Sequence, residues 1–346
     1  MTDSTSQSKK PLRLAVCGRC KANQWLATDG APLNPTPCSK CGHPVIVPTR
    51  VRHFELREVV ASGGMGTVYR AFDTVLERMV AFKLVKREMV DDKQVMDSFY
   101  REARAMAALN HTNIIHVYQF DEFDDRPYIV MELADSGSLD SRIEAEGTVS
   151  ELTVLDVGIK VGSALDTALK HSLLHRDIKP GNILFNAEGE PKLVDFGLAK
   201  GVEEEEEYGA DVFGTPYYVA PEKIKREAET FLSDMYSLGG TLYHALTGHV
   251  PFEAETIEEV VAGHVHTPLT QPVHVRPDIS HPTNEALMTA MAKEPSNRYP
   301  NYDAFIMALE ASRTHLLLRM RRQHEAIDAP DARPEAPPQN KGWWRR

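Results

Sequence analysis

Residues 173–197 restrict this chain more than any other stretch of it. They read Leu-Leu-His-Arg-Asp-Ile-Lys-Pro-Gly-Asn-Ile-Leu-Phe-Asn-Ala-Glu-Gly-Glu-Pro-Lys-Leu-Val-Asp-Phe-Gly. Apolar residues flank a polar loop. Asn186 to Gly189 has the composition of a hairpin turn, and a second apolar run leads to Asp195. Two carboxylates, Asp177 and Asp195, and one amide, Asn182, therefore converge at adjacent strand ends. Such a set suits oxygen-only ligation of Mg²⁺, with one carboxylate left to accept a proton.

Two earlier segments supply the rest of a phosphate site. Val59-Val-Ala-Ser-Gly-Gly-Met-Gly-Thr-Val68 lies between two strand-like runs. Glycines there let a hairpin backbone come close to phosphate oxygens. Gly clusters also make ordinary turns, so this signal is weak alone. Lys83 ends the apolar run Val80-Ala-Phe and is either snorkelling to water or aimed at an anion. A helix is expected over residues 94–109, where Phe99, Glu102, Met106 and Leu109 share one face. A carboxylate on a buried stripe needs a cation, because unpaired buried charge is costly. Lys83 is the natural partner; the alternative leaves Glu102 at the stripe's edge, in water.

In this order, the Gly-rich loop, Val80-Ala-Phe-Lys83, His175-Arg-Asp-Ile-Lys-Pro-Gly-Asn182, Asp195-Phe-Gly197 and Ala220-Pro-Glu222 resemble the Hanks-type serine/threonine protein kinases, close to their bacterial branch. Ser233-Asp234-Met-Tyr-Ser-Leu-Gly239, Leu246-Thr-Gly248, Pro251-Phe252 and Glu294-Pro-Ser-Asn-Arg298-Tyr299 agree. The resemblance covers residues 54–312 and implies an α+β, two-lobed protein-kinase fold. A small β-rich N-lobe (54–134) would precede a larger helical C-lobe (135–312).

The resemblance also implies roles. Ala61, Gly63, Gly64, Gly66, Val68, Ala81 and Leu184 would enclose ATP, with Ala61 standing where the family has its first loop glycine. Residues 131–134, with Glu132 and Ala134, would form the hinge that meets adenine through backbone groups. Lys83 would hold the α/β-phosphates and pair with Glu102. Asp177 would be the base, Lys179 would sit near the γ-phosphate, and Asn182 and Asp195 would hold Mg²⁺ or Mn²⁺. Lys179 and Thr215 point to Ser/Thr hydroxyls of protein substrates. Glu222 and Arg298 would form a buried, structural ion pair. The Lys, the two Asp and the Asn are all present, which favours an active enzyme. The competing reading is a catalytically weak scaffold that binds partners.

Residues 11–48 carry all four cysteines, as Cys17-x2-Cys20-x17-Cys38-x2-Cys41. Two residues between thiols let one tight turn aim both sulfurs at a point, and two such turns make a tetrahedral S₄ site. The segment resembles a zinc ribbon. Few large apolar residues are present, so a structural Zn²⁺ would supply stability the core lacks. Two disulfides or a redox pair are the alternatives; His43 reads as a bystander. The ribbon's partner is open between a protein, a nucleic acid and the chain's own acidic body.

The net charge of −11 disfavours a general nucleic-acid binder. It is unevenly spread: residues 1–52 carry +6, residues 313–346 carry +4 and the body between carries −21. At 42% hydrophobic and 26% charged, the 346 residues suit two or three globular units. No apolar run approaches the roughly 18–20 residues that cross a membrane. The polar start is not expected to be a secretory signal, so a cytoplasmic location is expected. Residues 1–10 read as disordered, 49–53 as a linker, 313–327 as a helical extension and 328–346 as a proline-rich disordered tail. Trp343, Trp344, Arg345 and Arg346 leave a peripheral membrane contact open.

Between Gly197 and Gly214 there is no Ser or Thr. The segment instead carries glutamates 203–207, Tyr208 and Asp211. An acidic group there, with Lys200 nearby, could replace a phosphate opposite Arg176; a solvated acidic loop is the alternative.

Overall fold

The computed structural model describes residues 12–27, 33, 35–196, 200–201 and 216–327. A four-cysteine module opens it, with β1 (Leu12–Val16) pairing antiparallel to β2 (Asn23–Ala27), and β3 (Thr36–Pro37) pairing with β4 (Pro44–Val45). A six-stranded antiparallel sheet follows. It contains β5 (Thr49–Val51), β6 (Phe54–Ser62), β7 (Gly66–Asp73) and β8 (Arg78–Val85). After α1 (Lys93–Ala108) come β9 (Val117–Phe123) and β10 (Arg126–Met131), giving the order β5-β6-β7-β8-β10-β9. Asp92 starts α1 by accepting from Gln94 N and Val95 N, satisfying two of the orphan donors of the first turn.

Residues 49–53 are not a linker. Thr49–Val51 pairs with Leu56, Glu55 and Phe54 as the sheet's first strand, and Val51 is fully buried. One core joins the cysteine module to the sheet: Leu33 and Ile46 lie with Leu56, Val59, Tyr69, Phe82 and Tyr128. The Tyr69 hydroxyl donates to Leu33 O at 2.8 Å inside it.

Beyond Met131 the body is mostly helical. It holds α2 (Leu139–Glu146), α3 (Glu151–Lys170), β11 (Leu173–Leu174), β12 (Ile183–Phe185), β13 (Pro191–Leu193) and β14 (Lys200–Gly201). Then come α4 (Pro221–Ile224), α5 (Phe231–Thr247), α6 (Ile257–His266), α7 (Pro272–Val275), α8 (His281–Ala290) and α9 (Tyr302–Ile327). α3, α5 and α9 surround the larger core. The boundary expected at 312/313 falls inside α9, whose Leu309, Ser312 and Leu316 are buried on one face. None of the described helices is long and apolar enough to cross a membrane. The sequence expectations for residues 1–10, the tail 328–346, glutamates 203–207, Tyr208, Asp211 and Thr215 lie outside the described residues, as does the side chain of Lys200.

Candidate active site

A cleft of about 940 Å³ separates the sheet from the helical body. Its roof is the β6–β7 hairpin, closed by Gly63 N donating to Gly66 O at 3.0 Å. A Cβ on Gly66 would stand 2.8 Å from the Leu84 carbonyl, so only glycine lets β7 approach β8 here. Ala61, Gly63, Gly64, Gly66, Val68, Ala81, Lys83, Glu102, Glu132, Ala134, Asp177, Leu184 and Asp195 all line the cleft.

Glu102 is buried, not at the stripe's edge, together with Phe99, Met106 and Leu109. Lys83 Nζ meets its Oε1 at 2.5 Å and lies 3.5 Å from Asp195 Oδ1. Burial alone would push the Lys83 ammonium down; the carboxylates of Glu102 and Asp195 outweigh it and hold the group up, charged. An anion entering the cleft thus meets a fixed cation.

The floor is the loop between β11 and β12. Asp177 Oδ2 accepts from Lys179 Nζ at 2.7 Å and from Asn182 Nδ2 at 3.0 Å; the same amide nitrogen donates to Asp177 O at 2.8 Å. Lys179 and Asn182 therefore reach the site through Asp177. Arg176 (φ +66°) and Asp195 (φ +61°) adopt left-handed backbone, which costs free energy at non-glycine residues and clusters at functional sites.

Three supports of the site carried no role in the sequence reading. Asp234, buried on α5, accepts from His175 N and Arg176 N, both at 2.8 Å. The His175 ring donates from Nε2 to Val194 O at 2.9 Å and accepts at Nδ1 from Asp177 N at 3.3 Å. Lys192 holds Glu132 Oε1 at 2.5 Å, tying the 131–134 segment to β13. A signal for Asp234 existed: an Asp in the first turn of an apolar helix needs donors if it is buried.

Glu222 and Arg298 are paired and buried, at 2.7 and 2.8 Å.

The thiols form a second centre. Cys17 Sγ lies 3.6 Å from Cys41 Sγ, and Cys20 Sγ lies 3.6 Å from Cys38 Sγ. All four sulfurs fall within 4.8 Å of one another. Four sulfurs about 2.3 Å from one ion stand about 3.8 Å apart, so the set fits a tetrahedral metal. A disulfide would need about 2.05 Å, and all four thiols are free. The two turns repeat one geometry: Cys17 N donates to Ala22 O and Lys21 N to Cys17 O, as Cys38 N does to His43 O and Gly42 N to Cys38 O. The left-handed residues are Lys21 (φ +56°) and Gly42 (φ +74°). Gly18 allows close approach to Glu58. Donation from the backbone at Lys40 and Cys41 pulls the Cys38 thiol down, whereas at Cys41 donation from the His43 backbone is outweighed by burial and the other three sulfurs, which push that thiol up.

A hinged cleft between a sheet and a helical body, with a held Lys–Glu pair above two carboxylates, defines a phosphate-handling, nucleotide-cleft class. Residues 54–310 match the family described as protein kinase domain, and the chain belongs to it. It is 36% identical over 258 residues to the Clostridium perfringens protein named "Probable serine/threonine-protein kinase CPE1738", covering 74% of this chain and 38% of that one. It is 35% identical over 253 residues to serine/threonine-protein kinase PknE of Mycobacterium tuberculosis, covering 72% and 44%. Against serine/threonine-protein kinase PrkC of Bacillus subtilis it is 32% identical over 247 residues, covering 71% and 38%. The chain spans less than half the length of these curated relatives. Its sheet and helical body are the two lobes of the protein-kinase fold, for which ATP and Mg²⁺ or Mn²⁺ are the family's reactants.

Proposed function

We propose that the chain transfers the γ-phosphate of ATP to Ser/Thr hydroxyls of proteins. The observation that carries this reading is the assembled cleft: Lys83 is held by Glu102 and faces Asp195, opposite an Asp177 that is fixed by Lys179 and Asn182. Phosphoryl transfer asks a protein mainly for positioning and charge stabilisation. Asp177 orients the substrate hydroxyl and accepts its proton. Lys83 holds the nucleotide's phosphates, and Lys179 places a second cation beside the base. Asn182 and Asp195 supply oxygen ligands for Mg²⁺ or Mn²⁺, which neutralises phosphate charge when bound. Residues 131–134 meet adenine through their backbone. The four thiolates hold a structural Zn²⁺. Protein substrates carrying Ser or Thr are the partners this chemistry fits; the relatives' names support the same assignment.

Labelled ATP, Mg²⁺ and a generic protein substrate test this reading, with Asp177→Asn as control. Phosphoserine or phosphothreonine from wild type alone, and one zinc per chain by elemental analysis, is the expected result. Equal, negligible transfer by both would favour a scaffold that binds partners through the cysteine module.

A further inference from the structure

The cysteine module forms part of the cleft itself. Gly18, Arg19, Lys21 and His43 line the space that Ala61, Gly66 and Lys83 line. His43 Nε2 donates to Val59 O at 3.1 Å, two residues before Ala61 on the strand that leads into the glycine turn. The pairing of β6 with β7 shifts register between Leu56 and Glu58 and again between Val59 and Ala61, on either side of this contact. Bulges interrupt a ladder and bend the strand, so the partner strand alone does not fix β6 here.

The module's first turn touches the same stretch. Gly18 packs on Glu58 so closely that a Cβ would stand 2.6 Å from Oε2. Glu58 bonds Arg70 at 3.2 Å, and Arg70 reaches Asp135 at 3.1 Å, just past the 131–134 segment. On the other side Leu33 and Ile46 are buried in the sheet's core, so the module has a fixed seat. The knuckle in turn fixes His43, whose carbonyl accepts from Cys38 N at 2.8 Å.

We propose that His43 is a positioning residue for nucleotide binding: the thiolate knuckle, through His43, holds the glycine-rich strand at the height at which it covers ATP. This rests on the kinase reading and extends it, because the module becomes a wall of the nucleotide site. His43 is then no bystander, although it ligates nothing.

The test titrates Mg·ATP into the full-length, zinc-loaded protein and measures zinc content and steady-state rates on the same samples. Losing one aligned hydrogen bond should weaken nucleotide binding about three- to tenfold in His43→Ala. Its kcat at saturating ATP and its zinc content should match wild type. His43→Gln, whose amide reaches the Nε2 position, should recover most of the affinity. Glu58→Ala probes the same contact from the sheet side, away from the thiols, and should also raise Kd with zinc retained. Unchanged nucleotide affinity in both His43→Ala and Glu58→Ala overturns the inference. So does equal loss of zinc from the Ala and Gln variants, which would make His43 a support of the metal site alone. Wild type that binds no nucleotide would instead overturn the kinase reading.

Discussion

Arg298 grips Glu222 through two parallel bonds of 2.7 and 2.8 Å, with both side chains buried. Arg298 also donates to Ala292 O, Leu232 O and Lys293 O, and Ser233 Oγ donates to Glu222 Oε1. Burial pushes the Glu222 carboxyl up; the Arg298 bonds and charge overcome this and hold it below its usual range. Removing one partner leaves the other charge buried and alone. Arg298→Ala should therefore lose about 3–5 kcal/mol of stability. Urea unfolding of the two proteins at neutral pH measures it; a loss below about 1 kcal/mol would show that water reaches the pair.

The Lys83–Glu102 contact carries function more than stability. Glu102→Gln keeps the volume and one acceptor but removes the charge that helps keep Lys83 oriented and protonated. Lys83 retains Asp195 at 3.5 Å, so the expected effect is partial. Phosphotransfer kcat/KM should fall about ten- to hundredfold, less than for loss of a direct oxyanion donor. Steady-state kinetics on a protein with an unchanged melting temperature check it. An unchanged rate would mean that Asp195 alone orients the lysine.

Asp234 supports the loop between β11 and β12 without lining the cleft. Its two oxygens take the N–H groups of His175 and Arg176, one each. In Asp234→Asn one of those N–H groups faces an NH₂. A buried donor left unsatisfied costs about 1–3 kcal/mol, and the loop should shift to relieve it. The expected signature is a fall in kcat larger than any rise in KM for ATP, because Lys83 and the 131–134 segment, to which the proposed function assigns most nucleotide contacts, lie on other elements. A matched rise in KM would place the effect in the cleft instead.

Much of the site was legible because its chemistry is local in sequence. Residues 173–197 bring Asp177, Asn182 and Asp195 to the ends of two adjacent hairpin strands, and spacing alone put Glu102 with Phe99 and Met106. Spacing could not say whether Glu102 was buried; that depended on Lys83, 19 residues away, reaching it. The cysteine spacing likewise showed two facing turns. What stayed hidden was long-range. Leu33 is an isolated apolar residue, and Ile46 sits in a three-residue apolar run between two prolines, too short for a period to reveal a buried face. Their burial comes from a sheet formed by residues far along the chain. The three-residue β5 is too short to stand out from a linker, and its Arg50 and the Arg52 that follows it mask the buried Val51. Asp234 sat in a quoted motif, but its partners are backbone groups, which leave no mark on sequence.

The fold also carries a proton-linked weakness at α6. His264 is fully buried, its Nδ1 2.9 Å from the Tyr236 hydroxyl and its ring edge-on to Phe252. Lys293 sits beside it, donating to His264 O at 2.7 Å and to Gly263 O at 2.9 Å. Burial, and then the Lys293 charge, pull the imidazole down to about 4. In the unfolded chain it titrates near 6.5. Between these values the unfolded state binds a proton that the folded state does not, so stability falls as pH falls. The contribution of the neutral ring is complete above about 6.5 and is lost progressively toward about 4, at up to about 1.4 kcal/mol per pH unit. Carboxylates titrate in the lower part of that window, so the measurement must be a double difference. Urea midpoints at pH 7.5 and pH 5.0 are compared for wild type and His264→Asn, whose amide stands near the Nδ1 position. The variant should be less stable at pH 7.5 and lose less between the two values than wild type. Equal losses would mean that His264 gains its proton without leaving the fold.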